Sequence, residues 1–227
     1  MNMPSRLRIA LGAGALSLAS LTALAAPALA ADAAPTAQAP KVQPYAPLQA
    51  DPAGSYTVDA DHSGAQFSIG HAGVAMLTGV FGKVTGSYTF DPRDPKADKA
   101  DITIPVNSLD TFLPARTKDV LAGQFLDADK YPTMHFVGTR YVPHGRHGGV
   151  LHGELTLHGV TRPVAFRVHL VGAGEVSYLP KPWGGYLSGF VATTVIDRTD
   201  FGIDAFSAGI GHKVRVRVEI EGVRNPS

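Results

Sequence analysis

From Tyr56 to Ile220 apolar side chains return at every second position, and this constrains the chain more than any other feature. Phe67, Ile69 and His71 alternate with Gln66, Ser68 and Gly70, and Val80, Val84, Tyr88 and Phe90 with Lys83, Thr85 and Ser87. Ile102, Ile104 and Val106 continue the pattern, as do Leu151, Gly153, Leu155 and Leu157, then Val164, Phe166, Val168 and Leu170. Val214, Val216, Val218 and Ile220 close it, with Lys213, Arg215, Arg217 and Glu219 between them. Such alternation gives each strand one dry and one wet face. Gly, Asp and Pro clusters at 91–95, 144–149 and His158-Gly159 punctuate the segments as turns.

About eight antiparallel strands leave two raw edges unless the sheet closes. The glycines inside strands, Gly82, Gly86, Gly153 and Gly189, suit strong coiling. The pattern therefore predicts an all-β, closed antiparallel barrel of about eight strands. One short helix at Arg116 to Phe125, limited by Pro132, would cap it.

The residues ahead of this domain read differently. Arg6 and Arg8 precede an Ala/Leu run from Ile9 to Ala26, and Ala28-Leu29-Ala30 offers a signal-peptidase site, so residues 1–30 are expected to be an export signal. Residues 31–54 carry Ala-Pro repeats and are expected to form a flexible linker, leaving 55–227 as the folded domain. Removing the signal's two arginines leaves 18 basic residues against 19 acidic ones, so no broad field favours nucleic acid. The absence of cysteine excludes disulfide frameworks, thiol enzymes and Cys-ligated metals. The expected location is a periplasm.

Inward positions supply the candidate ligand contacts. Phe67 and Ile69 come first, then Val80, Val84, Phe90 and Ile104, then Leu155, Leu157, Phe166 and Val168, and finally Val191 and Val216. The same pattern serves a barrel filled by its own side chains and one that holds a small ligand. His71 ends an apolar strand face and reads equally as a head-group contact or a structural hydrogen bond, while His62, at the turn feeding that strand, reads more as a turn lock than as a ligand contact. Arg116 and Arg198 offer forked donors to an anion, or ion pairs with Asp119 and Asp200. The nine histidines show no metal-ligand spacing, and neither a nucleophile elbow nor a carboxylate pair is evident, so neither a cofactor nor catalysis is expected. Trp183, in a Pro- and Gly-rich loop, reads as a core cap, a plug at the barrel mouth or a membrane-touching tip.

Ordered pieces of the domain resemble the YceI family. They are Tyr56 to Asp59, His62-Ser63, Phe67 to His71, Gly79 to Phe81, Asp110-Thr111, Arg116, Phe125-Leu126, Lys130 to Pro132, Gly153 to Pro163, Pro182 to Gly185 and Asp200 to Ile203. The resemblance implies a periplasmic, lipocalin-like β-barrel that takes up polyisoprenoid or related fatty-chain lipids. It also implies a homodimer as one available assembly. The chain departs from the family where Thr117, Asp119 and Gln124 replace the usual acidic and histidine positions of the helix region. It departs again where His212-Lys213 replaces an acidic pair. An enzyme acting on a lipid intermediate and a filled-barrel interaction module are the rival expectations.

Overall fold

In the computed structural model, residues 52–226 are described, apart from Arg146 and Ser177. The expected export signal and nearly all of the expected linker lie outside them. The described residues form eleven strands: β1 (Gly54–Val58), β2 (Gly64–His71), β3 (Ala75–Phe81), β4 (Thr85–Phe90), β5 (Ala100–Pro105), β6 (Leu109–Asp110), β7 (Thr133–Pro143), β8 (Gly148–Leu157), β9 (Val160–Val176), β10 (Gly185–Asp197) and β11 (Ile210–Arg224). Eight of them close a ring in the order β1-β4-β5-β7-β8-β9-β10-β11, with β11 returning to β1, and every pairing is antiparallel. The expected closed barrel is therefore the fold.

The remaining strands come from a break in the wall. The end of β11, Gly222 to Arg224, pairs with β1, whereas its earlier part, Ile210 to Glu219, pairs with β2. The chain thus runs beside β11 as two successive strands, turns at residues 72–74, and comes back as β3 and then β4. One end of the barrel, here the loop end, is walled by β1 and β4. The other, the helix end, is walled by β2 and β3, with β6 on the β3 edge.

The one α-helix among the described residues, α1 (Pro114–Leu121), starts two residues earlier and stops four residues earlier than the spacing predicts. Pro114 occupies a first-turn position, where the missing N–H costs nothing, and turns from Ala122 to Ala128 replace the last expected turn.

Aromatic side chains fill the barrel beside β1 and β4. Tyr56 is fully buried and stacks on Tyr88 at 5.1 Å, and Phe190 meets the Tyr88 ring edge-on at 5.5 Å. Glycine makes room for these rings. A Cβ at Gly222 would lie 2.3 Å from the Tyr88 hydroxyl, and one at Gly79 would lie 2.5 Å from the Phe67 ring. Close ring approach, in addition to coiling, explains glycine inside these strands. Tyr88 shares a 2.7 Å hydrogen bond with the Ser188 Oγ and donates to the Ser188 carbonyl at 3.1 Å. Burial pushes the phenol's pKa up, so it stays protonated. Tyr88→Phe should lower unfolding free energy by about 1–2 kcal/mol, because Ser188 loses its buried partner. Urea denaturation should show this as a lower midpoint with an unchanged slope; a midpoint equal to the wild type's would refute it.

Candidate functional site

The barrel is not filled. A cavity of about 660 Å³ remains, walled overwhelmingly by carbon and within the size range of small-ligand sites. At the helix end it meets His71, Arg116, Phe125 and Phe206. At the loop end it meets Pro92, Asp98, Tyr141 and His147.

Most of the expected contacts line it. Phe67, Ile69 and His71 face it from β2, Phe90 from β4 and Ile104 from β5. Leu155 and Leu157 do so from β8, Phe166 and Val168 from β9, Val216 from β11 and Arg116 from α1. Three expected positions do not. Val80 pairs opposite Gln66, while its neighbours Gly79 and Phe81 pair with the inward Phe67 and Ala65, so Val80 faces out. Residues 82–84 separate β3 from β4, and the phase valid for Tyr88 and Phe90 does not carry back across that gap. Val84 is fully buried in the packed cluster with Tyr56 and Tyr88 and does not itself line the cavity. Val191 pairs opposite Glu219 and His169 on the outer face, with Phe190 and Ala192 turned inward on either side.

The two arginines have different duties. The Arg116 guanidinium donates to the Thr111 carbonyl, and its Nε is sealed from solvent without an acceptor, among the described residues the only buried side-chain polar atom so left. Arg198 is spent on structure. It donates through Nε to Gly211 O at 2.9 Å, through one terminal nitrogen to Ile203 O at 2.7 Å and through the other to Ile210 O at 3.0 Å. The expected pair with Asp200 is replaced by these carbonyls, which pin the connection between β10 and β11 under the helix end. Phe206, at the tip of that connection, is exposed and stacks on Phe125 at 5.9 Å.

His62 locks its turn: Nδ1 lies 2.9 Å from the Asp59 carboxylate, and that contact raises its pKa. Its ring, Asp59 and Glu221 bring three potential ligand atoms within 4.8 Å of one another, a juxtaposition that histidine spacing alone does not reveal. Trp183 is partly exposed in the β9–β10 connection and does not line the cavity.

Sequence spacing also missed Asp98, which sits just before β5 behind a 3-10 turn at Pro95–Ala97. It is only 8% exposed. Burial first, and the neighbouring Asp91 and Asp94 charges after it, push its carboxyl up to about 7.

A UPF0312 protein of Pseudomonas aeruginosa is 37% identical over 174 residues, 76% of this chain and 88% of the relative. One from Vibrio cholerae is 33% identical over 174 residues, again 76% and 88%. Among solved structures, Burkholderia cenocepacia BcnA matches 72% of this chain and 98% of its own with a TM-score of 0.64 at 21% identity. A polyisoprenoid binding domain from Saccharophagus degradans, implicated in plant cell wall breakdown, matches 75% and 98% with a TM-score of 0.54 at 14% identity. At those identities the structural likeness is one of fold. The model of the YceI-like domain matches residues 56–222, nearly the whole barrel, and the chain belongs to that family.

Proposed function

We propose that this protein is an exported, periplasmic carrier that holds one long apolar amphiphile, a polyisoprenoid or fatty-chain lipid, inside the barrel. The observation that carries the reading is the open, carbon-walled cavity of about 660 Å³ in a fold whose eight strands could have been filled by side chains alone. A methylene moved from water into such a lining gains about 0.8 kcal/mol, so each five-carbon prenyl unit contributes several kcal/mol before ordering costs. The polyisoprenoid binding described for the Saccharophagus degradans domain of the same fold supports the ligand class. Export rests on the Arg6/Arg8 and Ala/Leu pattern of the first thirty residues.

In this reading the lipid enters at the helix end. There Val74, Met76, Phe112, Leu113 and Phe206 are exposed, a cluster of large apolar side chains of the kind found where a protein meets a lipid surface. The carrier reading involves no covalent step: the lining offers apolar contact with a few polar groups at its ends.

Native mass spectrometry of protein purified from a bacterial periplasm should show an apolar adduct. Titration with geranylgeraniol should reach one molecule per chain. A chain that emerges empty and takes up no geranylgeraniol would defeat the reading.

A further inference from the structure

Among the described residues, Asp98 is the one acidic residue that the fold both buries and leaves half-engaged beside the cavity. Its Oδ1 accepts the Asp91 N–H at 2.8 Å, closing the turn between β4 and β5. Its second oxygen has no partner among the described residues. Unlike Arg116 Nε it is not sealed, and Asp98 is one of the residues that line the cavity. Other titratable groups face this end. Asp91 and Asp94 come from the same connection, Lys99 follows Asp98, Tyr141 comes from β7, and His147 comes from the connection into β8. No cation forms an ion pair with Asp98 among the described residues, and Asp91 is engaged with Arg93. Burial, followed by the charge of Asp98, also pushes the Tyr141 phenol up.

We propose that Asp98 reads the polar end of the ligand: its second oxygen, carrying a proton, donates a hydrogen bond to an uncharged acceptor, such as a ketone or ester carbonyl, at the loop end of the cavity. The proposal rests on the lipid-holding reading and adds to it a head-group chemistry and an orientation, with the tail running toward the helix end. A carboxyl with a carbon-lined front and carboxylate neighbours is cheaper to keep neutral than to ionise, and a neutral carboxyl is a donor that a buried carboxylate is not. An anionic head at the same place would meet three carboxyl groups. The titration near 7 gives the sign of the pH dependence: the donor is present below that pH and is lost as pH rises through it.

The test uses the whole chain and displacement of N-phenyl-1-naphthylamine by 2-dodecanone and by dodecane. For the wild type, the ratio of ketone to alkane affinity should fall about fivefold to tenfold between pH ~5.5 and pH ~8.5, the size of one hydrogen bond. Asp98→Asn keeps the acceptor for Asp91 N–H and offers an amide donor that does not titrate, so its ratio should stay at the wild type's low-pH value throughout. Asp98→Leu should sit at the high-pH value throughout. A wild-type ratio that is flat with pH, or a pH dependence that survives in Asp98→Asn, overturns the assignment while leaving the carrier reading intact. Failure of both ligands to displace the probe overturns both.

Discussion

Replacing Ala192 by tryptophan should lower affinity for a long prenyl or alkyl chain by about a hundredfold and leave the barrel folded. Ala192 lies on β10 with its methyl toward the cavity, opposite Val168 on β9 and Val218 on β11, both of which also line it. An indole there takes the space of about four methylenes. At about 0.8 kcal/mol each this is about 3 kcal/mol, or two decades in the dissociation constant. Val191→Trp is the matched control, because that side chain points to the outer face and should leave binding within about twofold. Titration with geranylgeraniol, with circular dichroism as the check on folding, separates the two. Equal affinities for Ala192→Trp and the wild type would mean that the tail does not lie in the barrel.

The same pair of neighbours shows how far the sequence could be read. On β11 the outward positions are Lys213, Arg215, Arg217 and Glu219, so the inward set was plain. On β10 both faces are apolar, with Leu187, Val191 and Val195 on one and Phe190, Ala192 and Ile196 on the other. The register against β9 and β11 alone decides which looks inward. The β3–β4 region failed for another reason. A two-residue rhythm has no memory across a break, and residues 82–84 shift the phase that Val80 was assigned from Tyr88 and Phe90. Val84 belongs to the buried core, but which part of the barrel is packed and which is open depends on how Tyr56, Tyr88 and Phe190 fill it.

Polar residues were less legible than apolar ones. Asp98 stands in a stretch rich in Asp, Lys and Pro that reads as a solvated turn, and the packing of that turn against β7 and β4 is a tertiary feature that the local sequence does not announce. Arg198 has an acid two residues away, so an ion pair was the nearest explanation. Its actual acceptors lie five to thirteen residues further along, on a connection that the alternation does not describe.

Arg198→Met should therefore lower unfolding free energy by about 3–4 kcal/mol, the largest stability loss expected from one substitution near the site. Arg198 is 4% exposed, and its guanidinium satisfies three carbonyls at once. A bond from a charged donor contributes about 1.5–3 kcal/mol. Removing the donor also leaves acceptors in places that water reaches poorly, although the cost of burying the charge is recovered. Arg198→Lys should restore less than half of the loss, since an ammonium cannot hold the three divergent acceptors that the planar fork holds. Urea denaturation reads both variants, and a loss below about 1 kcal/mol in Arg198→Met would show that the connection is held by other contacts. The pinned segment carries Ile203, Phe206 and Ile210, all facing the helix end of the cavity. Its loosening should therefore speed ligand release at denaturant concentrations far below the unfolding midpoint. Saturating geranylgeraniol should raise the midpoint of both variants, because a ligand held only by the folded barrel stabilises it by mass action. Stabilisation of Arg198→Met by geranylgeraniol, together with faster release than from the wild type, would tie the arginine's structural duty to ligand passage at the helix end.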